Sequence, residues 1–382
     1  MPRLPLLVRI LIAIALGILL GSWLPEWFVA VFTTFNAIFS SYLKFLIPLI
    51  IVGLVMPAIA DIGRSAGRLL ILTVCMAYGS TVLSGLFSYA VSSNVFPALI
   101  THSSTLNGME ESVPSVAPYF TLAIPPMIDV MSALVIAFIA GLGMAYLGLP
   151  RLKGVADDLK ILVEKAIGYT VIPLLPLYIF GIFLEMTHTG HVWHILITFG
   201  AIIGVIFAMH ILLLLVQYCI AGAIVHRNPL RLLFSMLPAY FTALGTASSA
   251  ATIPVTKMQA VKMGVSEEVA SFTVPLCATI HMSGSCMKIT SCAVALMLMQ
   301  GLPFTTGLFV GFVLMLGVMM VASPGVPGGA IMASLGVLTS MLGFGEQDCA
   351  LMIALYIAMD SFGTACNVTG DGAISLIVDR LK

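Results

Sequence analysis

Charge is scarce in this chain. Its 382 residues include 16 Lys or Arg and 16 Asp or Glu, 8% in all, against 60% hydrophobic residues and a mean hydropathy of +1.14. Soluble domains run at about 25% charged residues, so a soluble fold is excluded. The formal net charge is zero, which leaves no basic surface for nucleic acid. Cysteine is sparse as well. Six of the seven, Cys75, Cys219, Cys277, Cys286, Cys292 and Cys366, lie inside apolar segments and read as packing residues without disulfides. The first apolar run, Leu11 to Leu24, lacks a small-residue cleavage site and leads into further apolar sequence, so a retained helix is expected. What the chain has in abundance is apolar segments of 18 residues or more, the mark of membrane-spanning helices.

Hydropathy predicts spans near 7–30, 38–60, 69–93, 119–148, 161–187 and 193–223. From 229 to 345 the apolar sequence is broken by Gly, Ser, Thr and Pro clusters, and 347–378 reads as one more long segment. The segment 96–118 is polar, with Glu110 and Glu111 and no Lys or Arg. With the N-terminus in the cytoplasm, all of the sixteen Lys and Arg except Lys44 and Lys288 fall on the cytoplasmic side. That orientation requires each broken stretch to enter and leave on one side, as a re-entrant hairpin. Lys257 and Lys262 keep the first hairpin cytoplasmic, Glu346 and Asp348 suit an outer end for the second, and the C-terminus is cytoplasmic.

The two hairpin tips read Thr246-Ala-Ser-Ser-Ala-Ala-Thr252-Ile-Pro254 and Ser323-Pro-Gly-Val-Pro-Gly-Gly329. Broken backbone at membrane depth is tolerated where it lines a cavity, and half-helix N-termini there offer N–H groups to a carboxylate. A hairpin followed by a span, twice over, suggests an inverted repeat.

The last segment carries two carboxylates, Asp360 and Asp371. At about 100° per residue, Asp360, Thr364, Asn367 and Asp371 fall within roughly a 60° stripe of one helix. An ionised group at that depth marks a site with a partner. The natural partner is a metal cation, an ammonium group or a proton.

At these residues the chain resembles the dicarboxylate/amino acid:cation symporters, the family of glutamate transporters. Ser248-Ser249-Ala-Ala-Thr252-Ile-Pro254-Val-Thr256 is similar to the family's first hairpin tip, Gly325-Val326-Pro327-Gly328 to its second, and Asn367-Val368-Thr369-Gly370-Asp371 to its final-helix motif. The Ser-Ser-Ala-Ala run, with Asp360-Ser361 and Thr364-Ala365, is nearest the sodium-coupled serine/threonine branch. The resemblance implies that Asp360 holds a substrate α-amino group, while Asn367, Ser248, Ser249, Val326, Pro327 and Gly328 hold its carboxylate. Thr364 would line the pocket and Asp371 would be a sodium ligand, the one metal contact expected. No cofactor is implied beyond sodium as the coupling ion, with a proton as the alternative.

Three departures stand out. Where the family places an arginine to read an acidic side chain, this chain has Gly363 or Ala247, which favours a small neutral amino acid. In Thr279-Ile-His281-Met-Ser283-Gly-Ser285 the family's Asn and Asp are His281 and Ser283. A second sodium site there, with Tyr78 and Thr81 as its other ligands, loses its carboxylate. Lys288 adds an ammonium at bilayer depth, seven residues after His281. It is a fixed cation replacing a sodium, a reader of a substrate carboxylate, or a snorkelling side chain. His281 is a proton carrier or a neutral pocket residue, and His210 a satisfied core histidine.

The expectation is an all-α membrane protein, a carrier rather than an enzyme: eight transmembrane helices, two re-entrant hairpins, inverted repeats and elevator-type movement. Residues 1–228 would hold six spans, of which 1, 2, 4 and 5 form a scaffold and 3 and 6 join the mobile part. Residues 229–382 would form the substrate and ion core. By resemblance it would be a homotrimer in a cell inner membrane, moving serine, threonine or alanine with sodium. The alternatives are an acidic amino acid or dicarboxylate carrier read by Lys288, a proton-coupled carrier, and an anion channel. An intramembrane aspartyl protease does not fit: Val368-Thr369-Gly370-Asp371 lacks its Gly-x-Gly-Asp motif, and Asp360 lies on the same helix as Asp371.

Overall fold

The computed structural model describes residues 6–64, 68–100, 116–190, 192–323 and 328–382, and among these it contains helices and no strand. The first helix, α1 (Leu6–Gly21), stops earlier than hydropathy predicts, and α2 (Glu26–Arg64) then runs unbroken through the expected gap at 31–37. Pro25 explains the boundary: proline opens a helix readily, and Glu26 in the first turn suits the positive end of the helix dipole. The third helix, α3 (Arg68–Leu99), is followed after the polar segment by α4 (Val130–Leu147). The fourth span was expected to begin at 119, but residues 116–129 are non-helical around Pro125-Pro126, which remove two backbone donors and disfavour helix before them.

Helix α5 (Pro150–His188) begins before the expected 161 and contains a π turn at Ile167–Val171. Its polar first half lies against the end of α2, where Lys153 Nζ sits 2.8 Å from Asp61 and also pairs with Asp157. Helix α6 (Val192–Val225) matches its predicted range within two residues. It leaves Ile211, Leu212, Val216 and Ile220 exposed, a face that suits lipid.

Helices α1, α2, α4 and α5 pack on one another. Gly17 and Gly21, one turn apart on α1, let it lie on the α5 backbone. A Cβ at Gly17 would stand 2.9 Å from the Phe180 carbonyl, and one at Gly21 would stand 2.5 Å from Thr187 Cβ. This is the small-xxx-small device of membrane helix pairs.

After α7 (Pro229–Ser235), two helix pairs replace full spans. The first pair is α8 (Leu237–Thr246) and α9 (Ser249–Lys262); the second is α12 (Thr306–Val321) and α13 (Gly329–Leu342). At 1.5 Å per residue none of these helices exceeds about 24 Å, short of a hydrocarbon core of about 30 Å. The first break is narrower than the sequence suggests. Only Ala247 and Ser248 leave the helix, Ser248 Oγ caps α9, and Pro254 lies inside α9. The second tip, 324–327, lies outside the described residues.

Each pair is followed by a broken helix. The first is α10 (Glu267–Ile280) and α11 (Ser283–Met299), interrupted at His281-Met282. The second is α14 (Glu346–Ala358) and α15 (Asp360–Leu381), bent by 62° at Met359. The expected single segment 347–378 is therefore two helices, and His281 lies in a break while Lys288, seven residues on, lies within α11. By length and composition, five helices among the described residues can cross a membrane, counting α10 with α11 as one, or six if α14 and α15 also count as one span.

A serine row joins α3 to α11. Ser84 donates to the Ser283 carbonyl at 2.8 Å, and Ser88 to the Met287 carbonyl at 2.9 Å. Ser88 also lies 2.6 Å from Ser291 Oγ, and Ser92 donates to Ser291 at 3.1 Å. All five serines are fully buried. On the other flank α6, α8, α9 and α10 pack on α15.

Candidate functional site

The site is built where α15 passes the break between α10 and α11. The stripe read from the sequence is present: Asp360, Thr364, Asn367 and Asp371 lie on α15 and all are buried. Each of the two carboxylates meets a side chain from the α10–α11 region.

Asp371 meets His281. The helix ends at Ile280, and His281 takes an extended conformation that swings its ring toward α15. Its Nδ1 lies 2.8 Å from Asp371 Oδ1, with both side chains at 1% exposure or less. Gly370 makes this approach possible, since a Cβ there would stand 2.6 Å from His281 Cε1. The far nitrogen, Nε2, lies 3.1 Å from Ser80 Oγ. Gln217, on α6, donates to Ser80 Oγ at 3.0 Å and to Ser283 Oγ at 3.3 Å. A neutral imidazole fits these contacts: Gln217 donates to Ser80, Ser80 donates to Nε2, and Nδ1–H donates to Asp371, while Gln217 Oε1 is left without a partner.

Asp360 meets Lys288. The lysine is fully buried, and its Nζ lies 3.4 Å from Asp360 Oδ1 and donates to the Met359 carbonyl at 3.3 Å. It also stands 3.7 Å above the Tyr356 ring, a cation–π contact. Its ammonium thus ends inside the protein, at the bend between α14 and α15. Asp360 Oδ2 accepts the Gly328 N–H at 2.9 Å, so one carboxylate joins α11, α15 and the start of α13. Burying a cation is costly unless it is paired and hydrogen-bonded, and Lys288 is both.

Asn367 lies between the two acids. Its Oδ1 accepts the Gly284 N–H at 2.8 Å and the Ser285 N–H at 3.4 Å, capping α11 from a neighbouring helix. Its Nδ2 and the Tyr356 hydroxyl both donate to Ser285 Oγ, at 3.1 and 3.0 Å.

The other expected residues divide. Thr81 accepts the Met282 N–H at 3.2 Å and so belongs to the break, whereas Tyr78 turns to the Leu314 carbonyl on α12 at 3.1 Å. Ser248 serves its own helix cap, with Ser249 beside it in a hairpin whose two arms pack on α15. Val326 and Pro327 lie outside the described residues. His210 is only half satisfied: Nε2 lies 3.2 Å from the Gly284 carbonyl and Nδ1 has no partner. Sequence reasoning missed Ser80, Gln217 and Tyr356. A lone glutamine amid the apolar residues of α6 was the available signal for Gln217.

This arrangement gives the chain a buried polar centre in which two carboxylates, a lysine and a histidine come together. Comparison with known proteins places the chain in a family. The chain is 31% identical over 182 residues to human excitatory amino acid transporter 2, a match covering 47% of this chain and 31% of that protein. It is 32% identical over 160 residues to mouse excitatory amino acid transporter 3, covering 42% of this chain and 30% of that protein. The chain thus spans under a third of the length of these relatives. It is 27% identical over 368 residues to the serine/threonine transporter SstT of Acinetobacter baumannii, covering 90% of this chain and 89% of that protein. These relatives are transporters, not enzymes. A match over residues 6–381, nearly the whole chain, shows that the protein belongs to the sodium:dicarboxylate symporter family.

Proposed function

We propose that the protein is a secondary carrier that moves a small neutral amino acid, of the size of serine, threonine or alanine, together with a cation. The observation that carries this reading is the unequal balance of the two buried acids. Asp360 is paired with the lysine Lys288, whereas Asp371 is paired with His281, which can donate to it from Nδ1 as a neutral ring. Asp371 is then the carboxylate whose charge a mobile cation must balance. Sodium is the coupling ion favoured by the family. Ser283 in place of a carboxylate, and Lys288 as an internal cation, argue for fewer sodium ions than a site with two free acids would take.

Selectivity follows from what is missing. Gly363 and Ala247 supply no guanidinium. An acidic side chain would enter a dry pocket without a bidentate partner, at a cost of several kcal/mol.

The working architecture we propose is eight spans with two re-entrant hairpins. The shortness of α8, α9, α12 and α13 supports it, as does the repeated order of a broken pair followed by a broken helix. The mutual packing of α1, α2, α4 and α5 supports a scaffold within residues 1–228. The polar seam of α3 with α11 and the packing of α6 on α15 support a mobile unit built from these helices and residues 229–382. Lys44 Nζ, 2.6 Å from Glu346, agrees with both residues lying at the outer face. We propose a homotrimeric assembly in a cell inner membrane by resemblance, and cytoplasmic termini from the placement of Lys and Arg.

Reconstitution into liposomes tests the reading. Labelled serine should accumulate against its gradient when sodium is imposed outside, and unlabelled serine should displace label better than aspartate. Accumulation that ignores sodium but follows a proton gradient would move the coupling to the His281–Asp371 pair. Flux that never exceeds equilibrium would favour the channel reading.

A further inference from the structure

The Lys288–Asp360 pair has the charges of an amino acid backbone, one ammonium and one carboxylate. We propose that it opens to admit the substrate: Asp360 takes the substrate's ammonium, and Lys288 takes its carboxylate. This rests on the proposed amino acid reading and adds a residue, Lys288, as reader of the α-carboxylate.

The geometry supports such an exchange. The pair is loose: 3.4 Å is longer than the 2.7–2.9 Å of a tight charged hydrogen bond. Asp360 is the more accessible member, at 10% side-chain exposure against 0% for Lys288, so an incoming ammonium meets the carboxylate first. Lys288 Nζ on Oδ1 and the Gly328 N–H on Oδ2 hold Asp360, with the Tyr356 hydroxyl also interacting with it. When Asp360 turns to the substrate ammonium, Lys288 Nζ and the Gly328 N–H are freed together. A substrate carboxylate placed between them replaces the acceptor they lose. Gly328 stands at the N-cap of α13, where backbone N–H groups favour an anion. Gly363 supplies room beside the lysine, because no side chain fills the space against Cε and Nζ.

Charge bookkeeping favours a zwitterion over either half of it. Inserting a zwitterion leaves every buried charge with a partner. A free amine would pair with Asp360 and strand Lys288, and a free carboxylate would do the reverse. Stranding one member of a buried pair corresponds to a loss in affinity of at least about 100-fold.

Three matched probes test this: L-serine, ethanolamine, which is serine without its carboxylate, and 3-hydroxypropanoate, which is serine without its amino group. Binding to the purified full-length protein is measured at fixed sodium. In wild type, serine should bind at least about 100-fold more tightly than either half. In Lys288→Gln, serine should lose that advantage and ethanolamine should gain. In Asp360→Asn, 3-hydroxypropanoate should gain instead. In the double variant neither charged half should be preferred.

Wild-type protein that takes either half within about tenfold of serine overturns the proposal, and needs no variant to fold. Lys288→Gln that still binds serine as wild type does, with no gain for ethanolamine, overturns it as well. A raised sodium requirement in place of the ethanolamine gain would make Lys288 a fixed counter-ion only. Wild type that binds none of serine, threonine and alanine would refute the amino acid reading itself.

Discussion

Gly363 is a glycine where Lys288 lays its ammonium: a Cβ at 363 would stand 2.5 Å from Nζ and 2.4 Å from Cε. The position that lacks the family's arginine is thus filled by a cation from another helix. Gly363→Ala should push Lys288 off Asp360, with an overpacking cost of about 1–3 kcal/mol. Cutting the lysine back should relieve it, so Gly363→Ala should cost less in a Lys288→Ala background. A double-mutant cycle on thermal unfolding in detergent reads the coupling, expected at about 0.5–3 kcal/mol. Additive effects would show that the two residues do not share this space.

Gly370 plays the same part for His281. Gly370→Ala puts a methyl group 2.6 Å from Cε1 and should drive the ring from Asp371. If Asp371 holds the coupling sodium, disturbing its partner should weaken apparent sodium affinity by about 10–100-fold, the range for outer-shell changes around a metal. Uptake measured against sodium concentration decides, and an unchanged curve would separate His281 from the ion.

The serine row between α3 and α11 should act on stability rather than selectivity. Ser88→Ala removes bonds to Ser291 and the Met287 carbonyl. The expected loss is about 0.6–1.7 kcal/mol, as for hydrogen bonds between membrane helices. Thermal unfolding should register it, while the ranking of competing amino acids stays as in wild type.

Ala247 closes α8 in the left-handed region, at φ 48°. A residue with a Cβ pays roughly 1–2 kcal/mol there that glycine does not. Ala247→Gly should raise the unfolding temperature. A fall would mean that the hairpin gains more from alanine's stiffness in the unfolded chain than it loses in strain.

Much of the site was legible in the sequence. Helical periodicity alone placed Asp360, Thr364, Asn367 and Asp371 on one stripe, and all four share α15. Lys288 stood out because a cation in an apolar segment is rare. Its partner was not legible, since a spacing of seven residues does not say which acid each of His281 and Lys288 meets. The break at His281-Met282 separates them onto different pieces of backbone, and the bend at Met359 sets Asp360 at a helix start. Gly363 and Gly370 read in sequence as a missing arginine and a motif position. Only the fold shows that each makes room for a side chain from across the site. Tyr78 looked like an ion ligand, yet it turns to α12, while Ser80, two residues on, takes the place beside His281.

The sequence by itself determined the solvent, the helical class and the positions of the few buried charges. These are properties of composition and local period, since lipid accepts long apolar helices and rejects isolated ions. The tertiary structure decided the pairing: Lys288 with Asp360, His281 with Asp371, and Asn367 on the free N–H groups of α11. The physical reason is range. In a dry interior a charge must be met within a few ångströms, and which groups come that close depends on breaks, bends and absent side chains on several helices at once.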